Sequence, residues 1–376
     1  MRPGTRPPWA ELALAVCSLA VGLAIAEVAI RMRLSPHARA ALPHVGLGDQ
    51  DQNRLRWFER RASRHGRDRG DELGFDRPDA DLGWSPIPDL ARRRVRAGAF
   101  DVTIHTNADG LRGEATVPRE RPPGRARIAV FGCSQTFGAE VEDGQTYSAR
   151  LQDLLADADV LNFGVHGYGT DQMLLRYERD GVPFDPDVVV VGFAYYHIQR
   201  NLDDFRFFAK PRFVIDGGEL RLTGVPVPTP DVYAASVAPP QPWRLLDRSV
   251  LLRWTWQILL QLEALRLYAP TGPAWTTTRA LLRRFAAEAQ ANGARFVLLN
   301  IEDDSAQLEP VLAGVAREDG GVFVNAGRTL GDLRGQGKRF RVPGDPHWGP
   351  EGHAIIASDL ARAICANALV PPASCR

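Results

Sequence analysis

A serine follows a short apolar run in the middle of the chain. Residues 128–131 (Ile-Ala-Val-Phe) are typical of a buried parallel strand, and Gly132, Cys133 and Ser134 come directly after them. Open α/β sheets place their ligands at the carboxyl ends of their strands. Gly132 and the nearby Gly138 would let backbone N–H groups approach a substrate closely. The pattern therefore predicts that Ser134 is a nucleophile beside an anion site.

An acid and a base for this serine are found near the end of the chain. Asp345 and His347 flank Pro346 in a loop before the last predicted helix. Proline biases the residue before it towards extended backbone, and a carboxylate this close can orient an imidazole and stabilise its charged form. We therefore predict that Ser134, His347 and Asp345 form a catalytic set. His353, at the start of that helix, is expected to be structural.

A glycine-bearing segment could supply the third requirement of acyl transfer, a site for the oxyanion. Residues 162–169 (Asn-Phe-Gly-Val-His-Gly-Tyr-Gly) end a second apolar run. Glycines here permit a tight turn with an exposed backbone N–H. The sequence shows no metal-ligand or nucleotide-binding motif, so neither a cofactor nor a metal ion is predicted.

Apolar runs of strand length alternate with amphipathic helical stretches from residue 127 onwards. The predicted strands are 128–131, 160–163, 188–193, 296–301 and 322–325, and the predicted helices are 147–155, 172–179, 278–291 and 352–368. Such alternation is typical of a parallel sheet that is covered on both faces. The fold class is therefore predicted as α/β, a three-layer α/β/α sandwich with a flavodoxin-like parallel sheet.

Residues 200–277 interrupt this alternation. We predict a hairpin over 213–222, a proline-rich loop over 226–242 and an apolar helix over 251–267. The hairpin is expected to turn at Gly217 and Gly218. The helix is expected to pack against the sheet, and the loop is a candidate lid over the active site.

The first predicted segment, residues 1–34, is a transmembrane anchor or a signal sequence. Residues 12–30 contain one charged side chain, Glu27, and this stretch is just long enough to span a bilayer. Ala24, Ile25 and Ala26 also fit a signal cleavage site, and a buried helix of a soluble domain is a further alternative. Residues 35–124 are interpreted as a polar stalk and lead-in, and residues 125–376 as the catalytic domain.

Charge and cysteine content add two expectations. The chain of 376 residues carries a formal net charge of +1, which gives no indication of a nucleic-acid partner. Cys365 and Cys375 are close in sequence near the end of the chain, and an anchor would place them in an oxidising compartment. We therefore predict a disulfide bond between them.

Together these segments resemble the SGNH, or GDSL-like, hydrolase superfamily. Residues 132–138 (Gly-Cys-Ser-Gln-Thr-Phe-Gly) resemble its first block, usually Gly-Asp-Ser-x-Thr-x-Gly, and residues 162–169 resemble its second. Residues 345–348 (Asp-Pro-His-Trp) resemble the last block, in the Asp-x-His form also seen in polysaccharide O-acetyltransferases of this fold. Residues 106–112 resemble the lead-in of bacterial members with an N-terminal membrane anchor.

The resemblance implies a role for each matched residue. Ser134 would be the nucleophile, His347 its general base and later the general acid, and Asp345 the residue that orients His347. The backbone N–H groups of Ser134 and Gly167 would be oxyanion donors. The implied reaction is acyl transfer through an acyl-serine, which is released to water or to a sugar hydroxyl.

The sequence departs from the family pattern in two places. Cys133 replaces the usual aspartate, and we interpret it as a packing residue rather than as a rival nucleophile. The third block usually carries an oxyanion-binding asparagine, but residues 193–197 read Phe-Ala-Tyr-Tyr-His. We predict His197 as the substitute donor, with the hydroxyl of Tyr196 as an alternative and Asn201 further along the chain.

These features favour a carboxylic-ester hydrolase that acts on an acylated small molecule or glycan. The predicted location is a bacterial inner membrane, crossed once, with the catalytic domain facing the periplasm or the cell exterior. One alternative is an O-acyltransferase acting on a cell-surface glycan, which would deliver the acyl group to sugar instead of water. A second is a catalytically weak glycan-binding pseudoenzyme, which the altered third block favours and the intact catalytic set opposes.

Overall fold

The computed structural model describes residues 8–63, 74–96, 98–303 and 308–375. The chain divides into two compact units, Met1–Ala62 with Val237–Arg266, and Ser63–Ser236 with Leu267–Arg376. This division differs from the boundaries expected at residues 34 and 124. It also assigns part of the interruption at 200–277 to the unit that contains the N-terminal helix.

The strands of the described residues are β1 (Asp76–Asp79), β2 (Gly83–Pro86), β3 (Ala91–Arg96), β4 (Phe100–His105), β5 (Ala126–Phe131), β6 (Ala158–Asn162), β7 (Val188–Phe193), β8 (Arg212–Asp216), β9 (Glu219–Thr223), β10 (Arg295–Asn300) and β11 (Val322–Asn325). The helices are α1 (Pro8–Arg33), α2 (Pro36–Ala40), α3 (Asp49–Ser63), α4 (Ser134–Phe137), α5 (Tyr147–Leu154), α6 (Thr170–Arg176), α7 (His197–Arg200), α8 (Pro230–Ser236), α9 (Val250–Leu267), α10 (Pro273–Ala291), α11 (Glu309–Glu318), α12 (Ala326–Gly335) and α13 (Pro350–Ala366).

A five-stranded parallel sheet forms the centre of the second unit, as far as the chain is described. Its strand order is β11-β10-β7-β5-β6, and every neighbouring pair is parallel. Counted along the chain this order is 2-1-3-4-5, the flavodoxin-like arrangement that was predicted. β7 (Val-Val-Val-Val-Gly-Phe) is buried along its whole length because both faces of the sheet are covered.

Helices cover both faces of the sheet, which confirms the predicted three-layer α/β fold. On one face, α5, α12 and α13 pack over side chains such as Val130 and Leu299. On the other face, the ring of Phe131 stacks on Phe163 at 4.6 Å and meets Phe285 of α10 edge-on at 5.7 Å. Alternate residues of β5 thus point into two separate cores, as a strand's period of two requires.

Three antiparallel hairpins accompany the sheet within the described residues, β1–β2, β3–β4 and β8–β9. The β8–β9 hairpin turns at Gly217 and Gly218 as predicted. The β3–β4 hairpin buries Val102 and Ile104 against Phe137 of α4. A segment interpreted only as a lead-in therefore packs directly on the turn that carries Ser134.

The C-terminal tail is fastened to the last helix. Cys365 of α13 and Cys375 are joined by a disulfide bond, as predicted. The backbone N–H of Ala156 donates to the carbonyl of Ser374 at 2.8 Å, so the tail also meets the end of α5. The tail is thus joined to both α5 and α13, which cover the same face of the sheet.

The proline-rich loop that was a candidate lid begins on the second unit. The N–H of Val227 donates to the carbonyl of Ala80 at 2.7 Å. The ring of Tyr233 in α8 lies 5.6 Å from Phe205 and 5.5 Å from Phe208. A lid function for this loop remains a prediction.

The first unit contains α1, α2, α3 and α9. Residues Glu11–Arg33 of α1 form a helix long and apolar enough to cross a membrane, with its side chains exposed; a signal sequence meets the same criterion of length and composition. The stretch interpreted as a polar stalk contains the regular helix α3, where Trp57 is buried and Asp49 and Asp51 complement the helix dipole in the first turn. Residues 64–73 of that stretch lie outside the described residues.

The predicted helix over 251–267 is present as α9, but it is not part of the unit that contains the sheet, against which it was expected to pack. It belongs to the unit formed with the N-terminal residues. Its apolar composition indicated burial, yet side chains such as Leu262 and Leu265 are exposed.

Candidate active site

The turn between β5 and α4 presents Ser134 at the carboxyl edge of the sheet. Ser134 is the first residue of α4 and is partly exposed, whereas Gly132, Cys133 and Gln135 beside it are buried. A Cβ atom at Gly132 would collide with the hydroxyl of Thr136, so the turn requires glycine there. The strand order reverses between β5 and β7, which is where open α/β sheets form their ligand crevice.

The structure brings Ser134, His347 and Asp345 into one hydrogen-bonded chain. The Oγ of Ser134 lies 2.8 Å from Nε2 of His347. The Nδ1 of the same ring lies 2.6 Å from Oδ1 of Asp345, which also accepts the backbone N–H of His347 at 3.0 Å. The carboxylate therefore holds the proton on Nδ1 and leaves Nε2 free to accept the proton of the serine hydroxyl.

Hydrogen bonds across its base fix the loop that carries the histidine. The N–H of Val342 donates to the carbonyl of His347, and the N–H of Asp345 donates to the carbonyl of Val342, both at 2.9 Å. Gln135, the neighbour of Ser134, donates to the carbonyl of Pro346 at 3.2 Å and accepts the N–H of Trp348 at 3.1 Å. One side chain thus ties the nucleophile turn to both residues that flank the base.

Two arginines of β3 approach the site from the lead-in hairpin. Arg96 donates to Oδ2 of Asp345 at 2.6 Å and to the carbonyl of Gly344 at 2.8 Å. Arg94 pairs at 2.5 Å with Glu140, a buried carboxylate whose Oε1 lies 3.4 Å from Nδ1 of His347. His347 therefore faces two carboxylates. Each carboxylate is paired with an arginine of β3, and these two arginines are two residues apart.

The sequence did not identify four residues that surround the catalytic candidates: Arg94, Arg96, Gln135 and Glu140. Asp101 and other charged residues surround the β3–β4 hairpin, so its arginines were indistinguishable from a solvated surface. The paired carboxylates also form, with His347, a group of possible metal ligands within 4.8 Å of one another. Because Arg94 and Arg96 balance the two negative charges, we assign this cluster to the orientation of the imidazole.

Asp345 remains ionised around neutral pH. Burial raises the pKa of its carboxyl, but hydrogen bonds from the backbone and ring of His347, together with the charges of His347 and Arg96, outweigh burial and lower the pKa below its usual value. An ionised carboxylate at this position stabilises the imidazolium that forms when His347 takes a proton.

The predicted oxyanion donors Ser134 and Gly167 both lie in tight turns. Gly167 has a φ of +73°, and any side chain there would collide with the ring of Phe207. Among the described residues, no hydrogen bond is made by the backbone N–H of Ser134 or of Gly167. The carbonyl of the preceding His166 accepts the indole N–H of Trp84 at 2.8 Å, which fixes the orientation of this peptide turn.

His197, predicted as a further oxyanion donor, is fully buried. Its Nδ1 accepts the backbone N–H of Ala194 at 3.2 Å, so its ring proton is placed on Nε2. That Nε2 is buried and has no hydrogen-bond partner in the described part of the chain. Burial lowers the pKa of His197 well below its usual value, and the charges of Arg200 and Arg206 add to this effect. The ring is thus neutral and carries an unused donor.

The other residues considered around the site have separate contacts. The Sγ of Cys133 is buried and lies 3.3 Å from the hydroxyl of Tyr196. The side chain of Asn201 donates to the hydroxyl of Thr278 at 2.9 Å within the core. His353 is buried, and its Nδ1 accepts the backbone N–H of Tyr147 at 3.1 Å. His353 therefore has the structural contact that its position indicated, and the bond to the serine comes from His347.

No family model matches the chain, and no curated protein matches it. Among solved structures, the chain is similar to the acetylxylan esterase Axe2 from Geobacillus stearothermophilus, with 16% identity, a TM-score of 0.39, and 65% of this chain and 96% of that chain covered. It is also similar to a putative lipolytic protein of the G-D-S-L family from Desulfitobacterium hafniense, with 11% identity, a TM-score of 0.39, and 64% and 99% covered.

Proposed function

We propose that this chain is a serine hydrolase of carboxylic esters, of the SGNH or GDSL-like type, that acts through an acyl-serine intermediate. The observation that carries the proposal is the 2.8 Å contact between Oγ of Ser134 and Nε2 of His347, in a ring already held by Asp345. Nucleophile, base and orienting acid are the three groups that such chemistry requires. Their position at the switch point of the sheet is a second supporting observation.

The proposed first half-reaction forms the acyl-enzyme. His347 takes the hydroxyl proton on Nε2 as Oγ of Ser134 attacks the ester carbonyl carbon. The carbonyl oxygen gains negative charge and accepts hydrogen bonds from the N–H groups of Ser134 and Gly167. The tetrahedral intermediate then collapses, the alkoxide leaves, and His347 donates its proton to it.

The second half-reaction reverses these roles. A water molecule loses a proton to His347 while it attacks the acyl carbonyl, and the departing Oγ of Ser134 recovers that proton. The carboxylic acid is released and the enzyme returns to its first state. A sugar hydroxyl in place of water would make the same site an acyltransferase, so the acceptor is decided by what occupies the crevice.

The decisive variant pair is Ser134→Ala and Cys133→Ala in the full-length chain. Hydrolysis of p-nitrophenyl acetate should fall on the order of 10⁶-fold in Ser134→Ala, because loss of the nucleophile disables the whole catalytic unit. Cys133→Ala should retain most of the activity, since its thiol packs against Tyr196. Inactivation by Cys133→Ala alone would reject the assignment of the nucleophile. Addition of an oligosaccharide acceptor then separates acetate release from acetyl transfer.

We further propose that the catalytic unit lies outside the cytoplasm and that α1 anchors it to the membrane. The apolar length of α1 and the Cys365–Cys375 disulfide both support this location. A C-terminal fusion to alkaline phosphatase, which matures only outside the cytoplasm, should be active in a bacterial host. An inactive phosphatase fusion together with an active cytoplasmic reporter fusion would reverse the topology.

A further inference from the structure

Helix α9 presents a broad apolar surface in the first unit. Leu252, Trp254, Leu259, Leu262 and Leu265 are between 37% and 72% exposed. The three large residues Trp243, Leu245 and Leu246, which precede the helix, are also exposed. Of these, Trp243 lies 6.0 Å from Trp256. Exposed large apolar side chains that share one face mark sites of membrane or protein contact.

The exposed large apolar side chains of α9 lie on one side of the helix. At 3.6 residues per turn they fall within an arc of roughly 160°. Arg253 and Glu263 lie outside that arc, and Arg266 enters it only in the last turn. The distribution is that of a helix with one apolar face, although α9 as a whole was predicted from its composition to be buried.

Contacts on the opposite side fix the rotation of α9 about its axis. The Nε1 of Trp256 donates to the carbonyl of Leu47 at 2.9 Å. The guanidinium of Arg253 donates to the carbonyl of Pro43 at 3.2 Å and to that of Leu42. The apolar face cannot turn inwards without breaking these bonds, so its exposure is a feature of the folded unit.

The first turn of α9 is bonded directly to α1. Glu27 accepts hydrogen bonds from the hydroxyl of Ser249 at 2.7 Å and from the backbone N–H groups of Val250 and Leu251 at 3.0 and 2.8 Å. Arg31 donates to the carbonyl of Arg248 at 2.9 Å. The carboxylate thereby satisfies N–H groups that a helix start leaves open. α9 therefore begins beside the last turns of the candidate membrane span.

We infer that α9 is a second membrane-contacting element, which lies along the bilayer interface with its apolar face in the lipid. The inference rests on the proposed anchoring of α1. If α1 crosses the membrane, Glu27 near its end places the start of α9 at the level where the chain leaves the hydrocarbon. Exposed tryptophans such as Trp243 and Trp254 suit that depth. The charged residues of α9 suit a helix in the interface more than one across it.

Site-directed spin labels on the full-length chain in phosphatidylcholine–phosphatidylglycerol vesicles test this inference. One label is attached to the native Cys17 of the span; the others are attached to Leu262→Cys or Glu263→Cys in a Cys17→Ser background. Collision rates with oxygen, which concentrates in lipid, and with a water-soluble nickel chelate report the environment of each label. Retained hydrolysis of p-nitrophenyl acetate shows that each variant is folded.

The expected result is an oxygen-to-nickel collision ratio that is high at Cys17, high at position 262 and several-fold lower at position 263. A label at 262 that meets the nickel chelate freely, while the label at Cys17 does not, would overturn the interfacial placement and leave the anchor standing. A label at 262 shielded from both reagents would overturn it in favour of a protein partner. A water-exposed label at Cys17 would reject the anchor and this inference together.

Discussion

His347 is the residue on which the proposed chemistry converges. Its Nε2 meets Ser134, and its Nδ1 faces Asp345 at 2.6 Å and Glu140 at 3.4 Å. Two carboxylates on one side of the imidazole can stabilise the positive charge that would develop on it as the serine attacks. Arg94 and Arg96 hold those carboxylates in place, so the balance of charge around the ring is set by side chains from a remote part of the sequence.

The contribution of Glu140 can be measured with the isosteric variant Glu140→Gln. Removal of one partly screened charge beside the imidazolium should lower kcat/KM roughly fivefold, which corresponds to about 1 kcal/mol. The loss should appear in kcat, because the positive charge on the ring develops in the transition state. Glu142→Gln, the same change two residues away, is the control. An unchanged kcat in Glu140→Gln would show that this carboxylate is only structural.

The free Nε2 donor of His197 leads to a second prediction at this scale. If His197 completes the oxyanion site, His197→Ala should lower kcat by roughly 10²–10³. KM should change little, because such a bond strengthens mainly in the transition state. Tyr196→Phe is the matched control, since that hydroxyl is engaged with Cys133. Steady-state kinetics in which His197→Ala keeps kcat within about threefold would remove His197 from the oxyanion site.

Among the elements, the candidate active site is assembled from parts that are distant in sequence. β5 and α4 carry the proposed nucleophile, the loop before α13 carries the proposed base, and β3 carries the two arginines. Gln135 joins the first of these to the second, and Arg96 joins the second to the third. His353 at the start of α13 adds a third connection, because it accepts the first N–H of α5 from Tyr147. The catalytic geometry thus depends on how α13 is docked.

The connection through His353 should make the fold sensitive to acid. Burial lowers the pKa of His353 to about 3, with the charges of Arg112 and His347 adding to the effect. In the unfolded chain His353 takes up a proton near pH 6.5. The contribution of the neutral, buried ring to the free energy of unfolding is therefore complete above that pH, and it is lost as the pH falls towards the folded pKa. One proton contributes a slope of at most about 1.4 kcal/mol per pH unit.

Urea unfolding of the wild-type protein and of His353→Gln between pH 4 and pH 7 measures this effect. The glutamine carbonyl can still accept the N–H of Tyr147 but does not titrate. We expect the unfolding free energy of the variant to fall less steeply between pH 6.5 and pH 4, while ester hydrolysis at pH 7 is retained. Parallel pH dependences in the two proteins would show that His353 is not the group responsible.

At the scale of the whole molecule, the fold was predictable where the sequence carries a periodic signal. The five strands of the sheet are apolar on both faces, so they appeared as continuous runs, and the helices between them showed amphipathic spacing. Ser134, Asp345 and His347 were also predictable, because glycines mark the nucleophile turn and the acid and base are neighbours in sequence. Their convergence depends on the fold, because the turn of Ser134 lies at the carboxyl edge of the sheet and the loop between α12 and α13 returns to that turn.

The features that were not predicted depend on contacts between residues far apart in the chain, and no pattern of neighbouring residues indicates such contacts. The ion pair of Arg96 with Asp345 joins residues 249 positions apart, and β3 has no apolar alternation because its arginines point in both directions. The composition of α9 indicated burial, since an exposed apolar face next to a candidate membrane span cannot be distinguished from a core helix by sequence alone. The candidate catalytic residues could therefore be predicted from the sequence, whereas the residues that surround them could not.

Covalent labelling of the full-length protein by a fluorophosphonate tests the central claim most directly. Such a probe reacts with a serine hydroxyl only where a base activates it and an oxyanion site receives the phosphonyl oxygen. We expect a single adduct that peptide mass mapping assigns to Ser134, and no adduct in Ser134→Ala or in His347→Ala. An adduct on another residue, or no adduct on a folded wild-type protein, would contradict it.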